Sequence, residues 1–223
     1  MKRAVNPGGK IFAIGDIHGY LNKLEALMHK IHPDPDRDEL VFLGDYVDRG
    51  PNSKEVVEMV LEIKKSFPRT TCLMGNHEFT LLDYLTYRKD PWTFFLNGGI
   101  ETIHSYDLTG EDIESKIPSE HLAFFNSLRP YYETEHYIFV HAGLREGVPL
   151  HEQTLDDLVW IRREFIESKE DFGKLVIFGH TPFPKPLVHS NKIGIDTGAG
   201  YGGTLTCLEL PDRIFYSTYG VEP

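Results

Sequence analysis

An α/β fold of two packed β-sheets flanked by helices is predicted by three features of this 223-residue sequence. Short apolar runs alternate with helical patterns up to about residue 88, implying a mostly parallel sheet. Beyond residue 130 the chain becomes rich in short strand-like runs, which supplies the second sheet. The residues with the most chemistry fall where apolar runs end, and ligands of open α/β sheets bind beyond the carboxyl ends of strands.

Lys10–Ile14 reads as a strand and Tyr20–Ile31 as a helix, with Leu21, Leu24, Leu27, Met28 and Ile31 on one face. Glu39–Leu43 is a second strand. Ser53–Phe67 is a second helix, with Val56, Val57, Val60, Leu61 and Ile63 mostly on one side. Ser53 is its expected N-cap and Pro68 its stop. Thr70–Met74 is a third strand, followed by a helix from about Glu78 to Arg88. Residues 91–129 read as a helical insertion made of Pro91–Leu96, Ile100–Tyr106 and Glu120–Leu128. Tyr131–Val140 is a hairpin turning near Glu135, and one helix over Thr154–Ser168 precedes the strand Leu175–Phe178. Leu187–Val188, Ile193–Ile195, Thr204–Leu210 and Arg213–Tyr216 complete the second group of strands. No repeat or linker divides the chain, so residues 1–223 are expected to form one domain.

Composition removes several function classes. Hydrophobic residues at 40% and charged residues at 26% are those of a globular protein in water. No apolar run approaches the ~20 residues of a membrane span, and Ile11–Ile14 is too short for the core of a signal peptide behind the basic Met1-Lys2-Arg3. A cytoplasmic protein without a membrane partner is expected. A net charge of −11 argues against a nucleic-acid partner, whose phosphates need Lys and Arg. Cys72 and Cys207 lie in apolar runs and read as small buried hydrophobes.

Six segments carry the chemistry: Gly15-Asp16-Ile17-His18-Gly19, Gly44-Asp45-Tyr46-Val47-Asp48-Arg49-Gly50, Gly75-Asn76-His77-Glu78, His141-Ala142-Gly143, Gly179-His180-Thr181 and Asp196-Thr197-Gly198. Each alone is a weak signal, because a Gly-Asp pair after an apolar run is usually an ordinary turn. Together they point to a site for two divalent metals that breaks phosphate esters. Asp16 and His18 are two apart, so an extended backbone aims both the same way. A carboxylate with an imidazole suits Mn, Fe or Zn better than Ca or Mg. Asp45 has two oxygens with which to bridge two ions, and Arg49 matches phosphoryl oxygens bidentately. Asn76 offers a neutral oxygen, leaving His77 as a general acid oriented by Asp48. His141 and His180 follow apolar runs and complete a second coordination sphere. Asp196 has two readings: a partner fixing the tautomer of a ligand histidine, or a plain turn residue. His29, His32, His104, His121, His136, His151 and His189 lack such a setting and read as solvated or helix-face residues.

The series Gly-Asp-x-His-Gly, Gly-Asp-x-Val-Asp-Arg-Gly, Gly-Asn-His-Glu resembles the phosphoprotein phosphatases among the calcineurin-like metallophosphoesterases. Trp160-Ile161-Arg162 and Phe178-Gly179-His180-Thr181-Pro182 look most like bacterial and phage, lambda-type, serine/threonine phosphatases. The resemblance implies an αββα sandwich and two divalent ions, with Mn²⁺ expected ahead of Fe, Zn or Mg. It implies that Asp16, His18 and Asp45 hold one ion and that Asp45, Asn76, His141 and His180 hold the other. His77 with Asp48 would be the acid, and Arg49 and Arg162 would hold the phosphate. The implied reaction is in-line attack on a phosphoserine, phosphothreonine or phosphotyrosine protein by a metal-bridging hydroxide. Met74 departs from this pattern, since many members have Arg there, and Arg163 or Arg69 are the candidates to replace it. The departure favours an alternative on the same scaffold, symmetrical diadenosine tetraphosphate hydrolysis. That group also shares a segment like Tyr201–Leu208, but usually lacks the Asp at position 48 and the Glu at position 78. A non-catalytic binding protein would have lost a ligand or His77, and none is lost.

Overall fold

A computed structural model of the chain describes residues 9–87, 91–108 and 113–219. Strands β1 (Ile11–Ile14), β2 (Glu39–Phe42) and β3 (Thr70–Cys72) are parallel neighbours, connected through α1 (Leu21–Ile31) and α2 (Ser53–Ser66). Helices α3 (Asn76–Tyr87), α4 (Pro91–Leu96), α5 (Gly99–Tyr106) and α6 (Ser119–Ser127) follow. The hairpin β4 (Tyr131–Glu133) and β5 (Tyr137–Val140) then leads through α7 (Leu155–Trp160) and α8 (Arg163–Glu167) to β6 (Leu175–Phe178), parallel to β5. The chain ends with β7 (Leu187–Val188), β8 (Lys192–Gly194), β9 (Thr206–Leu210) and β10 (Ile214–Ser217). Two five-stranded sheets result, ordered β10-β9-β1-β2-β3 and β4-β5-β6-β8-β7.

Side chains alternate across a strand, and this sorts the core into layers. Ile11, Ala13, Val41 and Leu43 of the first sheet meet Phe139, Ile177 and Ile193 of the second. Phe12, Ile14, Leu40 and Phe42 face outward onto Leu24 and Leu27 of α1 and Val56, Val57 and Val60 of α2. Ile138, Val140, Val176 and Phe178 face the other way, onto Leu158 and Phe165 of α7 and α8. Each such buried Val, Leu, Ile or Phe side chain contributes ~1.5–3 kcal/mol, and the middle layer is what clamps sheet to sheet. The predicted arrangement of two mixed sheets flanked by helices is the one observed.

Four local expectations are corrected. Strands β9 and β10 do not join the second sheet; β9 pairs antiparallel with β1 and carries β10 at its other edge. The helix expected over Thr154–Ser168 is broken, because Ile161 takes an extended ψ of 139° that buries it among Leu158 and Phe165. Ser53 is not the N-cap of α2, a place held by Asn52; its hydroxyl accepts from Asp48 N at 3.0 Å instead. Helix α3 begins at Asn76, two residues earlier than expected. His121 is buried on α6 and hydrogen-bonded to the Tyr106 hydroxyl at 2.8 Å. Met1–Arg3, Arg88 and residues 109–112 of the expected helical insertion lie outside the described residues. Both cysteines are buried and unpaired, and burial pushes the Cys72 thiol up to about 12. Among the described residues no helix is long and apolar enough to cross a membrane.

Candidate functional site

Strands β1, β2 and β3 of one sheet and β5, β6 and β8 of the other each deliver polar residues just past their carboxyl ends. Asp16, His18, Asp45, Asp48, Asn76, His77, His141 and His180 are all buried there, none more than 4% exposed. Five site residues have left-handed backbone: His18 (φ 53°), Asp45 (53°), Asp48 (71°), Arg49 (70°) and His180 (63°). Non-glycine residues there cost of order 1–3 kcal/mol each and persist only where the surroundings hold them. Here the tight turns bring the side chains together beyond the strand ends. Ile17 N and His18 N both donate to Asp45 O, at 3.0 and 2.8 Å, locking the first loop to the second.

Glu78 holds the second and third loops together. Its Oε1 accepts from Tyr46 N (2.8 Å) and Val47 N (3.2 Å), and its Oε2 from Asp45 N (2.9 Å) and Gly75 N (3.1 Å). Replacement by Gln removes one acceptor oxygen and aims an amide donor at backbone donors. Glu78→Gln should therefore lower unfolding free energy by about 1–3 kcal/mol or more, read as a shifted urea midpoint. An unchanged midpoint would mean the loops hold without this carboxylate. Space is equally constrained at two glycines: a Cβ at Gly75 would overlap Asp45 Oδ1, and one at Gly179 would overlap Asp16 Oδ1.

Hydrogen bonds fix the histidine tautomers. His18 Nδ1 lies 3.1 Å from Val47 O and His141 Nδ1 lies 2.9 Å from Leu43 O. A carbonyl only accepts, so both rings carry the proton on Nδ1 and present the Nε2 lone pair to the cleft. His141 Nε2 then faces Asn76 Oδ1 at 3.0 Å and Asp45 Oδ1 at 3.3 Å. Three acceptors converge on one point. His18 Nε2 faces Asp45 Oδ2 at 3.5 Å, while Arg49 Nη1 donates to it at 2.7 Å. Asp16 Oδ2 accepts from His180 N, yet Asp16 Oδ1 and His180 Nε2 are buried without a hydrogen-bond partner among the described residues. Burial, with the Asp196 and Asp45 charges, pushes the Asp16 carboxyl well above its usual range; burial also pushes Asp45 up. Burial pushes His18, His77 and His180 down, and His141 to about 3. Neutral imidazoles and crowded carboxylates, whose charge the single Arg49 guanidinium offsets only in part, are the donor set a cation satisfies. Two trios have donor atoms within 4.8 Å of one another, His18 with Asp45 and His77, and Asp45 with His141 and His180. Asp45 belongs to both.

His77 Nδ1 lies 2.7 Å from Asp48 Oδ2, whose other oxygen accepts from the Thr102 hydroxyl at 2.5 Å. Burial pushes Asp48 up to about 7 against the Thr102 hydrogen bond. Arg49 Nη2 donates to His77 Nε2 at 3.0 Å, so its guanidinium spans His18 and His77. Arg162 sits exposed in the break between α7 and α8, and its charge helps depress His77, His141 and His180.

Neither candidate for the guanidinium missing at Met74 is brought to the centre. Arg69 precedes β3, at the opposite end of that strand, and Arg163 Nε pairs with Glu167 at 2.9 Å on α8. Asp196 Oδ1 accepts from Gly198 N at 2.9 Å, which is the turn reading rather than a bond to a histidine. Its charge nevertheless acts on Asp16. Sequence reasoning missed Thr102, Ser53 and the cradling role of Glu78. Thr102 lies 54 residues from Asp48 inside the helical insertion, and a lone threonine there carries no pattern.

The chain matches the calcineurin-like phosphoesterase family over residues 9–214. It is 26% identical to the asymmetrical bis(5'-nucleosyl)-tetraphosphatase PrpE of Halalkalibacterium halodurans, across 94% of either chain. A solved structure described as a putative diadenosine tetraphosphatase superposes with a TM-score of 0.73 at 22% identity, covering 97% of this chain and 95% of that one. A cold-active protein tyrosine phosphatase superposes with a TM-score of 0.71 at 18% identity, covering 94% and 78%. Those two likenesses establish a shared fold. The match over residues 9–214, nearly the whole length, places this chain in the calcineurin-like phosphoesterase family.

Proposed function

We propose that this metallophosphoesterase hydrolyses dinucleoside tetraphosphates, asymmetrically, to a nucleoside triphosphate and a nucleoside monophosphate. The observation that carries the substrate class is the end-to-end similarity to relatives bearing that name, 94% of each chain. It outweighs the phosphoprotein substrate that the motifs alone favoured. The symmetrical products expected from the alternative give way to asymmetrical ones for the same reason.

In this reading Asp16, His18 and Asp45 hold one divalent ion, and Asp45, Asn76, His141 and His180 the other. Asp16 is preferred over His77 as a ligand because His77 is engaged by Asp48 and Arg49, whereas Asp16 Oδ1 is buried without a partner. Two divalent ions, when bound, would supply Lewis acidity to the phosphoryl oxygens and make water nucleophilic near neutral pH. The chain's own part is orientation and proton handling. Arg49 offers a planar fork to the phosphoryl oxygens, and Arg162 adds positive charge at the rim. Protonated on both ring nitrogens, His77 gives its Nε2 proton to the oxygen of the departing group, and the Asp48 carboxylate at Nδ1 orients the ring and stabilises its charged form.

A second reading has one specific observation behind it, the buried Asp48–His77 contact at 2.7 Å. Alcohol leaving groups need an acid more than a nucleotide's phosphate does, so a phosphomonoester substrate would use this pair fully. The deciding experiment incubates Mn²⁺-loaded protein with diadenosine tetraphosphate, a phosphoserine peptide and a phosphotyrosine peptide, with products separated by ion exchange. ATP with AMP, at the highest kcat/KM of the three, is the expected result. Two ADP would restore symmetrical cleavage, and a higher kcat/KM for either peptide would restore the protein phosphatase.

A further inference from the structure

The turn that follows Asp196 carries an aromatic ring for which the chemistry above has no use. Gly198–Gly203 is closed by Tyr201 N and Gly203 N, both donating to Gly198 O at 2.8 Å. Lys23 lies buried beneath it and donates to Ala199 O at 3.0 Å and Gly203 O at 2.9 Å. A buried cation whose donors end on two loop carbonyls fixes the backbone of this turn from below. The turn is pressed against the site: a Cβ at Gly200 would lie 2.6 Å from His18 Cδ2 and 3.0 Å from Arg49 Cδ. Tyr201 is nonetheless 64% exposed, with its ring centroid 4.3 Å from Arg49 Cζ. One face of the ring covers the guanidinium that reaches His18 and His77, and the other is open to solvent.

We propose that Tyr201 is a stacking platform that selects phosphate esters carrying an aromatic base. A phosphate gripped by Arg49 brings the remainder of its ester beside this ring. A nucleobase has a π-face of matching size, and stacking on an aromatic side chain tolerates any base. The rigid turn presents the ring in place, so little ordering is left for binding to supply. This deepens the dinucleoside reading and rests on it for the identity of the base.

The test is equilibrium binding, so it does not depend on turnover. Mn²⁺-loaded wild type, Tyr201→Phe and Tyr201→Ala are titrated with fluorescent etheno-ATP, then competed with ATP and with ribose 5-triphosphate, which keeps sugar and charge but has no base. Wild type and Tyr201→Phe should bind ATP about 10-fold or more tighter than ribose 5-triphosphate, since one base stack is worth at least that on average. Tyr201→Ala should lose this preference while its affinity for ribose 5-triphosphate stays within about twofold. Equal weakening of both ligands would make Tyr201 only a brace for Arg49 and overturn the proposal, as would the absence of a base preference in wild type. A base preference that Tyr201→Ala abolishes, in an enzyme that cleaves phosphopeptides and no dinucleotide, would sink the substrate reading and leave the platform standing.

Discussion

Asp45→Asn should strip the protein of metal and of turnover together. Asp45 is the one residue common to both trios of converging donors, so its loss weakens two binding positions at once. Asn is the informative replacement because it keeps the shape and accepts the left-handed backbone at φ 53°. Partners that merely orient a ligand are worth ~10–100-fold in metal affinity, so a shared ligand should exceed that. Metal content by elemental analysis should fall from two ions per chain toward none, with activity following it down. Chelation of the wild type should reproduce the loss, and added Mn²⁺ should reverse it. A variant that kept two ions per chain would remove Asp45 from the shared position.

His77→Asn should behave differently: both ions retained, and kcat lowered ~10²–10⁴-fold, the usual worth of a general acid. The loss should depend on the leaving group. An alkyl phosphate, whose alkoxide is a poor leaving group, should suffer the full effect, whereas p-nitrophenyl phosphate should lose far less. Asp48→Asn should follow the same pattern, because the carboxylate acts through the imidazole it touches at 2.7 Å. Combining the two changes should then cost little more than His77→Asn alone, as expected of groups acting as one unit. Equal losses on both esters would mean that the histidine positions substrate rather than protonating it. Loss of metal in His77→Asn would instead make it a ligand beside His18 and Asp45, the arrangement their proximity also permits.

Much of this architecture was legible because the strand cores are short, apolar and followed at once by polar residues. The parallel set β1, β2, β3 and the hairpin β4, β5 follow from period and turn chemistry alone. The sheet to which β9 and β10 belong does not, since nothing local records that Leu210 pairs with Ile11. Likewise the break at Ile161 is a tertiary decision, made by the room beside Leu158 and Phe165. The residues that meet in the buried cleft were legible too. Asp16, His18, Asp45, Asn76, His141 and His180 announce themselves by residue type and strand-end address. The groups that support the site do not: Thr102 bonds Asp48 from 54 residues away and Lys23 fixes the Gly198–Gly203 turn from 176 and 180 residues away, from positions where their types are commonplace.

The division of the site between two sheets has a consequence for how the protein reaches its working state. Asp16, His18, Asp45 and Asn76 come from one sheet, His141 and His180 from the other, and the cross-sheet bond from His180 N to Asp16 Oδ2 spans 164 residues. Contacts of such sequence separation close late, after the chain has lost most of its freedom. A half-built sandwich can therefore own a complete carboxylate set, with His18 and His77, and still lack His141 and His180. Tight divalent-ion uptake during refolding should lag behind the recovery of secondary structure and coincide with docking of the sheets. The metal centre would then serve as an internal clock for the final step of folding, and ions added early in refolding should leave the rate of that step unchanged while slowing its reversal.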